Sequence, residues 1–300
     1  MKGILYIFMK KSKVIGHIFA LISIITWGTT FISTKVLLEY LSPLEILFAR
    51  FLIGLLALII IKPKKMILKD KKHELLFLGA GFFGITFYYL TENIALSLTS
   101  ANNVGIISTM APFFTAIAVT IYFKTDRPKF NFYIGFIVAI IGVILITYTG
   151  SNNIEINPMG DILALVSTLG WAFYSIFIRR IGDSGYDTIL ATRRILFYGF
   201  VCMLPMLLFM DSSFDIQTYL NPMILLNILF LGIGASALCF ITWNSAIKEI
   251  GPIKCSTYIY LIPVVTIITS AIILDEALTF RTIIGVLLAL LGSWISQINK

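Results

Sequence analysis

Apolar residues in this chain come in long unbroken runs separated by short charged or turn-rich punctuation. Runs of that length read as helices, because a membrane-spanning helix needs about 20 apolar residues to cross about 30 Å of hydrocarbon. A β-barrel would instead show short alternating segments. The punctuation predicts ten spans at 14–38, 44–61, 75–97, 101–123, 132–149, 161–181, 188–210, 223–248, 253–275 and 280–298. Even the longest connections, around 62–74 and 211–222, leave no room for a soluble domain. The expected fold is therefore an all-α membrane protein.

Composition agrees with that reading. With 58% hydrophobic and 13% charged residues, the chain lacks the polar surface to cover a soluble globule. Cys202, Cys239 and Cys255 are odd in number and sit in or beside apolar runs, so they read as core residues and no disulfide framework is expected. The basic start with Lys2, Lys10, Lys11 and Lys13 resembles a signal peptide's charged region. No small-residue cleavage site follows, so an uncleaved first span is expected.

Charge sets the expected orientation. With both termini on one side, that side collects 20 Lys and Arg and the other keeps only Lys35, Arg50 and Arg281. Positive loops stay in the cytoplasm, so both termini are expected there, in a cell membrane. The formal net charge of +8 is then a topology signal and a contact with anionic lipid, not a nucleic-acid surface.

The chain also repeats itself. Ala20, Leu21, Ser23 and Trp27 meet Ala164, Leu165, Ser167 and Trp171 at an offset of 144, as do Lys35 with Arg179 and Arg50 with Arg194. Farther on, 76–81 matches 229–234, Asn93 meets Asn244, Pro112 meets Pro263, and Gly135 and Gly142 meet Gly285 and Gly292. Two repeats, 14–149 and 161–298, each hold five spans. Five is odd, so the second enters the membrane upside down relative to the first, the arrangement on which alternating access commonly rests.

The early Trp of spans one and six, the Pro of spans four and nine, the loop Asp275-Glu276-Ala277-Leu278-Thr279 and the Gly-rich last span resemble the EamA family of the drug/metabolite transporter superfamily. The resemblance covers about residues 14–298. It departs in the first half, where Thr125-Asp126-Arg127-Pro128 replaces the Glu-containing loop. It implies ten spans, a central cavity and transport without ATP hydrolysis, of a cargo that varies across the family. Amino acids or related metabolites are the first expectation, with export favoured by family habit.

Several residues carry candidate chemistry, each beside a plainer reading. Gly79, Gly81 and Gly84 spell a dinucleotide fingerprint, but inside an apolar helix with no preceding strand. Close helix packing explains them, as it does Gly135, Gly142, Gly285 and Gly292. No phosphate-cradling loop follows, and no cofactor is expected. Pro112 and Pro263 would bend their helices and free carbonyls toward a midplane site, or act as packing kinks alone. Trp27, Trp171, Trp243, Tyr88, Tyr174, Tyr258 and Tyr260 read as cavity lining, or as core and interfacial rings. Asn93 and Asn244 offer donors and acceptors to an amino or carboxyl group.

Glu92 lies roughly 25 Å from the inner end of span three, about 5 Å below the outer boundary. It reads either as a proton-coupling carboxylate or as a snorkelling one. Arg50 and Arg194 sit roughly 9 Å below opposite surfaces, as paired gates or as snorkelling side chains. The rival function is an integral-membrane enzyme acting on lipid-linked or prenyl substrates. It would need clustered Asp or a His base, whereas His17 and His73 lie near the cytoplasmic boundary with no acidic cluster nearby.

Overall fold

The computed structural model describes residues 2–98, 104, 107–124, 127–147, 157–209, 216–273 and 280–298, and among them every regular element is helical. In chain order the longer helices are α1 (Lys2–Leu38), α2 (Pro43–Ile61), α3 (74–98), α4 (Ala111–Phe123) and α5 (Phe130–Thr147). There follow α6 (Pro158–Asp183), α7 (Thr188–Met203), α8 (Pro222–Ile250), α9 (252–273) and α10 (Phe280–Gln297). Among the described residues, seven helices are long and apolar enough to cross a membrane, and α4 and α5 are shorter apolar ones. Large apolar side chains such as Ile60, Ile137 and Leu287 stand outward and more than half exposed, as lipid contact requires. The loops 275–279 and 125–126, part of the resemblance, lie outside the described residues.

Helix starts follow a local code. Ser42-Pro43, Asn157-Pro158 and Asn221-Pro222 each place an oxygen-bearing cap before a proline at the first helical position, where its missing N–H costs nothing. At α2 the Ser42 hydroxyl accepts from the Glu45 N–H while the Ser42 N–H donates to Glu45 Oε2 at 2.7 Å. Such a capping box is worth about 1 kcal/mol.

Three helices are irregular, and the irregularities pair across the repeat. Helix α3 passes through a π-helical stretch at Phe82–Phe87 and α8 through one at Phe230–Leu238, stretches that overlap when the repeats are aligned. Helix α9 starts as Pro252–Ser256, tightens to a 3₁₀ segment at Thr257–Leu261 and resumes as an α-helix at Ile262. In the first half, a turn at 109–110 precedes the restart at Ala111. Pro112 and Pro263, expected to bend their helices, are each the second residue of a restarting helix, with the interruption in the turn before it, where a proline's missing N–H and its ring act.

Helix packing interleaves the two repeats. Helix α1 packs on α8 and α9, and α6 correspondingly on α3 and α4; α2 meets α8 as α7 meets α3; α2 meets α7, and α5 meets α10. Exchanging the halves maps this set onto itself. The α5–α10 seam is built by glycine: a Cβ added at Gly142 would lie 2.7 Å from the Gly285 carbonyl oxygen, and one at Gly292 2.6 Å from that of Gly135. The false fingerprint has the same explanation, since a Cβ at Gly81 would lie 2.6 Å from the Gly199 backbone nitrogen of α7.

One end of the bundle gathers the basic loops. His17 bonds Tyr258 at the start of α9, and Lys254 feels the charges of Lys13 and Lys129. Lys62 pairs with Asp187, Lys69 bonds the carbonyls of Ser184 and Gly185, and Arg180 bonds Tyr122. Helix α1 starts near this end and carries Lys35 in its last turns, whereas α6 ends there with Arg179. Two repeat-equivalent positions thus sit at opposite ends, as an inverted repeat requires.

Candidate functional site

Where the halves interleave, three tryptophans from three helices meet. Ring centroids of Trp27 (α1) and Trp171 (α6) are 5.6 Å apart, those of Trp27 and Trp243 (α8) 5.1 Å, and those of Trp171 and Trp243 6.0 Å. Tyr88 abuts Trp171 at 5.2 Å, and Tyr174 does so at 5.0 Å. Phe240 closes the cluster against Trp27 and Tyr174. All three indoles are at least nine-tenths buried. The sequence singled out most of these rings; Phe240, Tyr89 and Phe51 it missed, because an unpaired ring in an apolar run carries no signal of its own.

The polar groups of the cluster are unequally satisfied. Trp27 Nε1 donates to the Ala235 carbonyl at 3.1 Å, within the π-helical stretch of α8. Trp171 Nε1 and Trp243 Nε1 are buried with no acceptor, a state that costs about 1–3 kcal/mol per donor. Asn244 already makes two hydrogen bonds: its Oδ1 accepts from Tyr174 Oη at 2.6 Å and its Nδ2 donates to Thr192 Oγ1 at 3.0 Å, tying α6, α7 and α8 together. Its repeat mate Asn93 is half-buried.

Charge enters on one side of the rings. Tyr88 Oη donates to Glu92 Oε1 at 2.8 Å, and the half-buried Glu92 side chain feels the charge of Arg50. Arg50, expected as a gate near the outer mouth, lies inside the bundle. Its side chain is buried, donates from Nε to Ser236 Oγ at 2.9 Å, and lies 5.0 Å from the Tyr89 ring centroid and 5.2 Å from that of Phe51. Ser236 stands at the middle of α8, so the long arginine side chain reaches well below the depth that its position in α2 suggests.

Arg194 does lie near the basic end. Its Nε donates to Glu74 Oε1 at 2.7 Å and its Nη2 to Glu74 Oε2, while Tyr198 Oη donates to the same carboxylate. Helix α3 of the first half is thereby locked to α7 of the second. The Asp187–Lys62 pair at 2.6 Å and a hydrogen bond between His73 Nδ1 and Tyr186 Oη reinforce that lock. Burial pushes the Asp187 carboxyl up, but the Lys62 ammonium and the Leu190 and Ile189 N–H groups outweigh it and hold the group below its usual range. Glu74 was missed from the sequence although a signal existed. Its repeat mate is Asn227, which accepts a hydrogen bond from Ser33 at 2.7 Å and so also pins the other half.

The remaining expected residues lie apart from the tryptophans. Tyr258 is bound to His17 at 2.7 Å, toward the basic end. Tyr260 is fully buried with an unpartnered hydroxyl, 6.5 Å from the ring of Phe136. Pro112 and Pro263 flank the two helix interruptions. Among the described residues no group of His, Cys, Asp and Glu could hold a metal ion.

The sequence model of the EamA-like transporter family matches residues 14–148 and 158–297. An uncharacterized transporter of Archaeoglobus fulgidus is 30% identical over 271 residues, covering 90% of this chain and 94% of its own. YyaM of Bacillus subtilis, another uncharacterized transporter, is 30% identical with 88% of each chain covered. A probable amino-acid metabolite efflux pump of Salmonella typhimurium is 24% identical over 92% of this chain and 93% of its own. One crystal structure shares the fold at a TM-score of 0.77, with 18% identity and 96% of each chain covered.

Proposed function

The chain belongs to the EamA-like transporter family, and from that premise we propose that it is a secondary transporter of small, partly polar organic solutes, amino acids or related metabolites first among them. It is a multi-pass membrane protein and a transporter of the EamA type. The finer reading has ten spans in two inverted repeats, both termini in the cytoplasm and residence in the cell membrane. The gathering of basic loops at one end supports that orientation.

The observation that carries the cargo site is the meeting of Trp27, Trp171 and Trp243 with two indole N–H groups left without acceptors. Buried donors without partners are rare in a finished core, and they suit a site that a visiting acceptor completes. The rings come from both halves, so a change in how the halves meet opens or closes the site. Paired interruptions in α3 and α8, and in α4 and α9, supply the places where such a change bends the bundle. Trp27, Trp171, Trp243, Tyr88 and Asn93 face the cargo, and Glu74–Arg194 closes the basic mouth. Glu92 couples transport to protons, since a half-withdrawn carboxylate can gain and lose a proton as its exposure changes. Export is favoured, in keeping with the efflux pump among the relatives.

The test is counterflow in vesicles reconstituted with the purified protein, preloaded with one unlabelled amino acid at a time and supplied with trace label, with and without an imposed pH gradient. Saturable flux above protein-free vesicles for at least one solute is expected. Flux indistinguishable from empty vesicles across amino acids, their amines and their acids would overturn the reading.

A further inference from the structure

Arg50 and Arg194 occupy the same position in the two repeats but meet different surroundings. Arg194, near the basic end, grips Glu74 with two of its nitrogens. Arg50 is only 6% exposed, and among the described residues it makes no ion pair. What it has instead are neutral hydroxyls, Ser236 and Tyr89, and the rings of Phe51 and Tyr89. Glu92 acts on it only through space, and one oxygen of that carboxylate already accepts from Tyr88. A guanidinium stays charged in any protein and is costly to bury without an anion against it. The fork that holds a carboxylate at Arg194 therefore faces none at Arg50.

The same deficit recurs along the ring-lined strip. Arg50 lies against Tyr89, Tyr89 against Tyr88 at 5.0 Å, Tyr88 against Trp171, and Trp171 against Trp243. At the far end of that strip the two unpartnered groups are both N–H donors. Trp27 indicates what such a donor takes when an acceptor is at hand, namely the carbonyl of Ala235. Apart from Glu92, the strip is rich in donors and poor in acceptors, so a visiting acceptor, and best an anionic one, completes it.

We propose that Arg50 is the specificity-determining residue of the cargo site and that it receives a carboxylate of the cargo, whose apolar body lies against the rings. The proposal rests on the transport reading above and narrows it to carboxylate-bearing cargo. It makes Arg50 a recognition residue rather than an outer gate.

Matched probes test it on the intact protein in lipid nanodiscs, with tryptophan fluorescence as the readout. Phenylalanine, phenylalaninamide and phenethylamine share a ring and an amine and differ in the carboxylate; leucine, leucinamide and isopentylamine do the same without an aromatic ring. In at least one series the carboxylate form is expected to bind roughly tenfold or more tighter than both others, a difference of about 1.4 kcal/mol. Arg50→Gln should bring the three close to equal, and Arg50→Lys should retain part of the preference, having the charge but not the fork. Folding of each variant is checked by size-exclusion elution. Wild-type protein that in both series binds an amide or amine as tightly as the acid overturns the proposal without any variant, as does a preference unchanged in folded Arg50→Gln. If vesicles carry only solutes without a carboxylate, the transport reading stands and this one falls; if they carry nothing, both fall.

Discussion

Replacing Glu74 by Gln removes the charge from the lock at the basic end and keeps its shape. In the wild type the carboxylate takes two hydrogen bonds from Arg194 and one from Tyr198, so first-half α3 and second-half α7 are held by three charge-assisted contacts. Buried, each such contact would contribute about 1.5–3 kcal/mol. Here the Arg194 and Glu74 side chains are 28% and 30% exposed, and ion pairs in water are worth about 0.2–1 kcal/mol. A combined loss of about 1–2 kcal/mol is the reasonable middle, and it shifts the ratio of closed to open basic mouth about fivefold to thirtyfold. Spin labels at Lys65→Cys and Asp183→Cys, in a background without Cys202, Cys239 and Cys255, report the distance across that mouth. The expected result is a longer-distance population that grows in Glu74→Gln. Distance distributions superimposable on wild type, with unchanged counterflow, would refute the idea that this contact holds the mouth shut.

Trp171→Ala should weaken cargo binding severalfold to about thirtyfold, corresponding to a stacking contribution of about 0.5–2 kcal/mol, with yield and elution near normal; loss of folded protein would instead mark the ring as packing. Glu92→Gln keeps the shape and the Tyr88 contact but cannot titrate, so pH-driven accumulation should vanish while exchange of cargo survives; accumulation with unchanged pH dependence would make Glu92 a snorkelling residue. The depressed Asp187 carboxyl means that its pair with Lys62 is fully present above the usual carboxylate pKa of about 4 and is lost as pH falls through the lower folded value. The label distance should therefore stay constant from pH 8 to 5 and widen only in acid, and widening between pH 7 and 6 would assign the lock to another group. Single cysteines at Lys35 and Arg179 should react with an impermeant reagent from opposite sides of the membrane, and labelling of both from one side would end the inverted-repeat reading.

The sequence by itself determined the class of protein. Continuous apolar runs leave the backbone no solution in lipid but helices, and the pairing of Trp27 with Trp171 and Gly142 with Gly292 made the repeat legible from spacing alone. It also pointed to the tryptophans and to the glycine seams, because those residue types have few other uses at such positions. Tertiary structure alone decided which candidates are free to act. Asn93 and Asn244 look equivalent in sequence, yet Asn244 is tied to Tyr174 and Thr192 of two other helices. Arg50 and Arg194 look like a pair of gates, yet only Arg194 finds a carboxylate, because Glu74 sits on a helix more than a hundred residues away in sequence. Pro112 and Pro263 read as kinks, and only the structure shows the form of each, a turn before Pro112 and a 3₁₀ segment before Pro263. In each case periodicity fixes which face of a helix a side chain occupies, whereas its hydrogen-bonding and charge partners belong to other helices, whose placement only the packed bundle sets.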